Sequence, residues 1–129
     1  MASIIVATGE QKGDYYPLGM RTNVIGRDEA VPIQILDKHV SRKHMQIRFD
    51  KDSWQYHALD MKSKHGVSIN GYKIEDETVL ADGDQIDIGQ TTLLFTTSDF
   101  PNRESALSHF KKVNERINPT KRIRPTVID

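Results

Sequence analysis

The amino-acid sequence predicts an all-β sandwich, and three observations lead to that fold class. Short runs of alternating or β-branched apolar residues recur at close spacing between residues 3 and 97, which is typical of β-strands. Turn-forming residues separate these runs, and the Asn70-Gly71 pair is the strongest two-residue hairpin signal. The chain has 129 residues, which is enough for one domain with a single core.

Five of the predicted strands come before residue 50. Residues 3–7 are apolar and residues 8–14 hold two glycines among polar side chains, so residues 3–18 are predicted to form a hairpin. Pro32 lacks a backbone N–H, so we expect its strand to lie at a sheet edge or to start there. The predicted strands are 3–7, 14–18, 22–25, 31–35 and 45–49.

The remaining strands are predicted between residues 54 and 97. Trp54, Tyr56 and Ala58 alternate with other residues, so we expect them to share one face of a strand. Residues 91–97 are β-branched and aromatic, which favours a long last strand. The predicted strands are 54–59, 67–69, 72–74, 78–80, 85–88 and 91–97, so the pattern predicts ten or so short strands in all.

The character of the sequence changes after residue 98. Leu107, Phe110, Val113 and Ile117 recur at spacings of three, three and four, which places them on one face of a helix. Pro119 would end that helix. We therefore expect a β-domain over residues 1–98, a C-terminal amphipathic helix over residues 99–118 and a flexible basic tail over residues 119–129.

Charge and cysteine content exclude several classes of protein. Lys plus Arg and Asp plus Glu each total 18, and a net charge of zero argues against a nucleic-acid binder that uses its whole surface. The chain has no cysteine, which excludes a disulfide scaffold, a thiolate metal site and a Cys nucleophile. No apolar run approaches the ~20 residues that span a bilayer. We expect a cytoplasmic protein that binds neither nucleic acid nor membrane.

Four polar segments beside predicted strands indicate a phosphate site. They are Gly26-Arg27, residues 40–44, residues 60–66 and Asn70-Gly71. We expect all four to be loops at one end of the sandwich, where they would form a basic surface lined by hydroxyl groups. An Arg guanidinium supplies donors in a fixed fork, which suits a phosphate better than the Lys ammonium does.

The same segments resemble the motifs of the forkhead-associated (FHA) domain, in order and spacing, across about residues 4–97. The resemblance implies an FHA-like β-sandwich of about eleven strands whose apical loops bind phosphothreonine peptides. The implied partner is a Thr-phosphorylated protein or peptide from a Ser/Thr kinase pathway. The motifs are Gly26-Arg27, Val40-Ser41-Arg42-Lys43-His44, Asp60-x-x-Ser63-x-x-Gly66, Ile69-Asn70-Gly71 and Leu80-x-Asp82-Gly83-Asp84-x-Ile86-x-Ile88-Gly89.

The resemblance also implies a role for each loop residue. The family's Asn that holds the peptide backbone is replaced here by His65, and Lys64 precedes it. An imidazole bridges a peptide backbone less well than an amide does, so we expect an intact phosphate anchor and an altered backbone clamp. The implied phosphopeptide-binding residues are Arg27, Ser41, Arg42, Lys64 and His65, and the implied loop-structural residues are Gly26, His44, Gly66, Asn70 and Gly71.

The C-terminal tail contains a candidate phosphorylation site at Thr126. Asp129 is the third residue after Thr126, and Arg122 and Arg124 precede it. Some FHA domains prefer Asp at that place, and many basophilic kinases select basic residues upstream of a threonine. We hypothesise that phosphorylated Thr126 binds an FHA pocket, in its own chain or in a neighbouring one.

Two alternative interpretations stay open. The five histidines could serve a metal-dependent enzyme, but the tight spacings that mark metal sites are missing, so we expect neither catalysis nor a metal or cofactor. The other alternative is an FHA-fold scaffold with a degenerate pocket that makes contacts independent of phosphorylation. Binding that survives Arg27→Ala would favour the scaffold.

Overall fold

The structure is a computed structural model, and it describes residues 2–97. Eleven β-strands make up this part of the chain, and it contains no α-helix. The predicted all-β class and strand number are therefore confirmed. The strands are β1 (Ser3–Val6), β2 (Tyr15–Pro17), β3 (Asn23–Gly26), β4 (Ile33–Gln34), β5 (Met45–Asp50), β6 (Gln55–Asp60), β7 (Val67–Ile69), β8 (Tyr72–Lys73), β9 (Thr78–Val79), β10 (Gln85–Ile88) and β11 (Thr91–Thr96).

The strands form two sheets that pack face to face. The first has six strands in the order β2-β1-β11-β10-β7-β8, and the second has five in the order β4-β3-β5-β6-β9. The alternating side chains predicted from the sequence fill the space between them, and their removal from water is the main favourable term in folding. The fully buried members of this core include Ile4, Ile25, Ile47, Ile86, Ile88, Leu93 and Phe95.

Two local predictions about strand pairing are confirmed. Strands β1 and β2 pair antiparallel, with Ser3 opposite Pro17, as the turn between them predicts. Strand β4 starts directly after Pro32 and lies at the edge of the five-stranded sheet. It pairs parallel with β3, with Ile25 beside Ile33. Pro32 stays outside the ladder because it has no N–H to donate.

The prediction that Trp54 shares a strand face with Tyr56 and Ala58 is wrong. Strand β6 starts at Gln55, opposite Asp50, and Trp54 belongs to the turn that precedes it. Its φ is 59° and 64% of its surface is exposed. The left-handed conformation turns the chain back towards β5, and it removes the Trp54 side chain from the period-two pattern of the strand.

The prediction that Asn70-Gly71 lies with the other polar loops is also wrong. Strand β7 has only three residues, and it runs from Gly66 at one end of the sandwich to Asn70 at the other. The Asn70 amide donates to Asp84 Oδ1 at 2.9 Å, which places this turn beside the start of β10. Because every strand carries the chain from one end to the other, two turns separated by one strand face opposite ends.

Other predictions fall on parts of the chain beyond the described residues. These are the helix over residues 99–118, the tail over residues 119–129 and the phosphorylation site at Thr126. Within residues 2–97, no helix has the length and apolar character required to cross a membrane.

Candidate functional site

The end of β3 and the segment before β5 are joined by main-chain hydrogen bonds. The Arg27 N–H donates to the Ser41 carbonyl at 3.0 Å, and the Asp28 N–H donates to the Arg42 carbonyl at 3.2 Å. The His44 N–H donates to the Ile25 carbonyl at 2.9 Å. These hydrogen bonds hold residues 40–44 beside Gly26 and Arg27. The two sequence motifs therefore form one continuous surface.

Gly26 is required by the close approach of these two segments. A Cβ atom at this position would lie 2.0 Å from the Arg42 carbonyl oxygen, well inside van der Waals contact. The obstructing atom is backbone, so a side-chain rotation cannot relieve the clash. Gly26 thus fixes the distance between Arg27 and the loop that carries Ser41.

The Arg27 side chain is held at one end and open at the other. Its Nε–H donates to the Val40 carbonyl at 3.0 Å, which fixes the direction of the guanidinium. The residue is exposed, and its two terminal amino groups make no hydrogen bond within residues 2–97. A guanidinium presented in this way has its planar fork available for a bidentate contact with an anion.

His44 connects two of the loops from inside the protein. The residue is 0% exposed. The Ser41 N–H lies 3.0 Å from Nδ1, and the Gly66 carbonyl oxygen lies 2.7 Å from Nε2. A backbone N–H can only donate and a carbonyl can only accept, so Nδ1 is the acceptor and Nε2 carries the proton. The neutral imidazole therefore ties Ser41 to Gly66.

The loop after β6 is closed by side chains of the predicted motif. Asp60 Oδ1 accepts from the Ser63 N–H at 3.1 Å and from the Ser63 hydroxyl at 2.6 Å. Ser63 Oγ in turn accepts from the Gly66 N–H at 2.9 Å. Lys62 and Gly66 adopt positive φ values of 59° and 81°, which gives this short loop its sharp curvature. The loop presents Lys64 and His65 outward, and both are exposed.

Ser41 meets this loop directly. The Lys64 N–H donates to Ser41 Oγ at 3.0 Å. The oxygen of the hydroxyl is thus engaged as an acceptor, and its proton remains available for donation. A phosphate oxygen is a strong acceptor for such a proton. Arg27, Ser41 and Lys64 therefore lie on neighbouring loops that hydrogen bonds hold together.

His65 extends the surface on the side of His39. The two imidazole rings are 5.8 Å apart between centroids, with a tilt of 60°. The structure therefore brings Arg27, Ser41, Lys64 and His65 to one end of the sandwich, with Gly26, His44 and Gly66 beneath them. Arg42 contributes its carbonyl to the joint with β3, and its side chain is exposed. Asn70 and Gly71 are at the other end.

The site has cations without counterions. Arg27, Arg42, Lys43 and Lys64 are all exposed, and within residues 2–97 none of them forms a salt bridge. In contrast, Arg48 on β5 is paired with Glu77 at 2.5 Å. Positive charges gathered on adjacent loops repel one another and raise the local concentration of anions. The arrangement favours a ligand with more than one negative charge.

Asp37 is a positioning residue that the sequence motifs do not include. Its Oδ1 accepts from the His39 N–H at 2.8 Å, and its Oδ2 accepts from the Gln90 N–H at 2.7 Å and the Thr91 hydroxyl at 2.8 Å. These hydrogen bonds hold the loop before Ser41 against the turn between β10 and β11. The sequence signal was an Asp two residues after the predicted strand 31–35, in a polar turn.

The environment of Asp37 favours its charged form. Burial of the carboxylate by itself would raise the pKa, but hydrogen bonds from the His39 N–H, the Thr91 hydroxyl and the Gln90 N–H outweigh burial and lower the pKa below its ordinary value. The negative charge is thus part of how the loop is held. In the part of the chain that the structure describes, no cluster of three or more His, Asp or Glu side chains is arranged to hold a metal ion.

Comparison with known proteins agrees with this geometry. The FHA domain model matches residues 23–89. The oxoglutarate dehydrogenase inhibitor of Corynebacterium jeikeium is 33% identical over 94 residues, which are 73% of this chain and 63% of that protein. The chain thus spans less than two thirds of the length of this relative.

Solved structures of FHA domains have the same fold. One, from a study of phosphothreonine-dependent FHA domain interactions, is 27% identical with a TM-score of 0.68, over 77% of this chain and 98% of that chain. EmbR of Mycobacterium tuberculosis, solved with a low-affinity phosphopeptide, is 29% identical with a TM-score of 0.68, over 78% of this chain and 25% of that chain. The family model covers more than half of the sequence, so the chain belongs to the FHA domain family.

Proposed function

We propose that this protein is a phosphothreonine-peptide binding module that acts as a signalling adaptor and has no catalytic activity of its own. The observation that carries the proposal is the group of unpaired cations around the Ser41 hydroxyl at one end of the sandwich. A phosphorylated threonine supplies close to two negative charges and three strong acceptor oxygens. The related structures with phosphothreonine-dependent interactions and a phosphopeptide support the same ligand class.

In this proposal Arg27 and Ser41 anchor the phosphate. Arg27 offers its terminal amino groups from a side chain already fixed at Nε by Val40. Ser41 donates its hydroxyl proton while Lys64 N–H holds the oxygen in place. Both donors are oriented before the ligand arrives, so less side-chain entropy is lost on binding.

The rim of the site is proposed to contact the rest of the peptide. Arg42 and Lys64 add charge that attracts an acidic ligand over several ångströms, and His65 faces the peptide backbone. Gly26, His44 and Gly66 hold the loops that carry these residues. Asn70 and Gly71 have their structural role at the opposite end, where they close the turn between β7 and β8.

The proposed partner is a Thr-phosphorylated protein or peptide made by a Ser/Thr kinase. Kinases use ATP, so the proposed setting is the cytoplasm, and we propose no role for a cofactor, membrane or nucleic acid. The binding domain in this proposal is residues 1–98. The names of the relatives describe those proteins, so the particular target of this chain is left to experiment.

The direct test compares two arginines of the same strand region. Arg27 follows the end of β3 at the loops, and Arg21 precedes β3 at the opposite end. A degenerate phosphothreonine peptide library would first select a binder, and calorimetry would then measure its affinity. We expect Arg27→Ala to weaken binding at least about 30-fold, the cost of losing a charge-assisted contact to phosphate. Arg21→Ala should leave the affinity unchanged.

The same experiment separates the scaffold alternative from phosphate recognition. The unphosphorylated form of the selected peptide should bind too weakly to measure, because the cations would have no phosphate to neutralise. Equal affinity for the two peptide forms, or binding that survives Arg27→Ala, would contradict the proposal. Such a result would support an FHA-fold scaffold with a degenerate pocket.

The tail hypothesis is tested with a peptide of residues 118–129 phosphorylated at Thr126. We propose that this peptide binds the same loops, in its own chain or in a neighbour, because Arg27, Ser41 and Lys64 present donors for its phosphate. Binding should disappear in Arg27→Ala and with the unphosphorylated peptide. No measurable binding at about 1 mM peptide, a concentration that a short tether readily supplies, would end the self-binding hypothesis. The main proposal would be unaffected.

A further inference from the structure

An apolar groove lies at the end of the sandwich opposite Arg27 and Ser41. It has a volume of about 340 Å³. The residues that line the groove place it at this end. They include Ala2 just before β1, Phe95 and Thr97 at the end of β11, and Trp54 in the turn before β6. We propose that this groove is the docking site for the protein's own C-terminal segment, residues 100–117. The lining residues are Ala2, Phe49, Trp54, Tyr56, Leu80 and Phe95, with Gln55 and Thr97 at the rim.

The lining is a continuous row of aromatic rings. Phe49 contacts Trp54 edge-on at 5.1 Å and Tyr56 at 5.0 Å, and Tyr56 contacts Phe95 at 5.7 Å, all between ring centroids. Aromatic surfaces of this kind give much hydrophobic stabilisation when another apolar side chain covers them. An apolar cavity of roughly 150 Å³ accommodates one benzene molecule. A groove of about 340 Å³ therefore has room for two large side chains.

Trp54 marks the open side of the groove. It is 64% exposed and has a φ of 59°. A bulky residue in the left-handed region costs roughly 1–2 kcal/mol of folding free energy. Exposure of the Trp54 indole to water does not offset that cost. The conformation holds the ring edge-on to Phe49, at the rim of the groove. Both features are explained if an apolar segment packs over Trp54.

The C-terminal segment is the expected occupant of the groove because the chain leaves β11 beside it. Strand β11 ends at Thr96. Thr97 lines the groove, and its N–H donates to Asp82 Oδ1 at 2.9 Å. The residues that follow thus begin at the groove itself. Phe100 is three residues further on, a span of at most about 10 Å. A segment tethered so closely has an effective concentration in the millimolar range, which a second copy of the protein does not reach in dilute solution.

The chemistry of residues 100–117 fits the groove. Phe100 is followed by an amphipathic pattern whose apolar face carries Leu107, Phe110, Val113 and Ile117. The opposite face is polar, with Ser108 near its centre. Two aromatic side chains from this segment would fill the groove and continue its row of rings.

The protein offers an internal probe for this contact, since Trp54 is its one tryptophan. The experiment measures acrylamide quenching and the emission maximum of Trp54 in the full chain. The test variant is Phe100→Asp/Phe110→Asp, and the matched control is Ser105→Asp/Ser108→Asp, which adds the same charge on the polar face. We expect the quenching constant to rise about twofold in the test variant, with a red shift, because the indole loses its cover. The control should match the parent protein.

Two outcomes would overturn the proposal. Equal quenching in all three proteins would mean that the segment does not cover Trp54. A quenching constant that rises when the parent protein is diluted from ~100 µM to ~1 µM would mean that the cover comes from a second copy, since an intramolecular contact does not depend on concentration. Circular dichroism of each variant would verify that the sandwich is intact, as expected because the core of residues 2–97 contains neither substituted residue.

Discussion

The two ends of the sandwich use similar turn chemistry for different purposes. At the end that carries Arg27 and Ser41, Asp37 and Asp60 direct their oxygens inward to backbone N–H groups and hydroxyls, and the cations are left facing solvent. At the other end, Asp84 bonds to Asn70 and to the Ala81 N–H, and the exposed feature is an aromatic groove. Acidic residues thus organise both ends, and at the Arg27 end they leave Arg27, Arg42, Lys43 and Lys64 without a salt bridge within residues 2–97.

The loop that carries Ser41 is stabilised by side chains that lie beneath it. His44 is fully buried under Ser41, and Asp37 reaches across to Gln90 and Thr91 in the other sheet. These long-range contacts position the loop that carries Ser41. They do not occupy the Arg27 terminal amino groups or the Ser41 hydroxyl proton. The turn at Asn70 is instead stabilised by its immediate neighbours in space, Asp84 and Gln85.

The largest effect is expected from glycine substitutions at the two ends. Gly26→Ala places a Cβ 2.0 Å from the Arg42 carbonyl oxygen, so we expect it to destabilise the protein by about 3 kcal/mol. Gly71→Ala meets nothing within 4 Å, but its φ of 87° should cost about 1 kcal/mol. Urea unfolding measures both. Equal losses of stability would contradict the view that Gly26 serves a close approach between two segments.

A smaller effect is expected from two aspartates. Within residues 2–97, Asp37 accepts three hydrogen bonds, whereas Asp82 accepts one, from the Thr97 N–H. At pH 7 we expect Asp37→Asn to cost about 2 kcal/mol, since an amide nitrogen would face the Gln90 N–H, and Asp82→Asn to cost about half as much. Phosphopeptide affinity should fall only in Asp37→Asn, because only that loop carries Ser41.

The unfolding stability of Asp37→Asn should also depend on pH differently from that of the parent protein. The pKa of Asp37 is lowered in the folded protein, so its charge stabilises the fold above the unfolded-state pKa of about 3.9 and this contribution is lost as pH falls further. The stability difference between the parent protein and Asp37→Asn should therefore shrink below about pH 4. Thermal unfolding of both proteins from pH 7 to pH 3 measures this stability difference. A stability difference that stays constant over this range would contradict the stabilising role assigned to the Asp37 charge.

The sequence predicted the strands well and the relations between distant loops less well. The alternation in residues 45–49 depends only on which side chains face the core, so it was visible locally. The position of Asn70 required counting the three-residue β7 as a full crossing of the sandwich. The role of Asp37 depends on partners more than 50 residues away, Gln90 and Thr91, and no local pattern reveals such a contact. Trp54 left its predicted face because the turn needed a left-handed residue.

The smallest expected effect concerns the rim of the site, at His65. This residue is exposed and 5.8 Å from His39 between ring centroids, and the resemblance to the FHA motifs implies that it replaces an Asn that holds the peptide backbone. An amide offers a donor and an acceptor together, so we expect His65→Asn to tighten phosphopeptide binding about fivefold, the value of roughly one added hydrogen bond. The matched control is His39→Asn, which changes the neighbouring imidazole and should leave affinity within about twofold. Calorimetry with the library-selected peptide measures both. Weaker binding by His65→Asn would mean that the imidazole itself contacts the peptide, and the rim would then have its own specificity, separate from the Arg27 and Ser41 anchor.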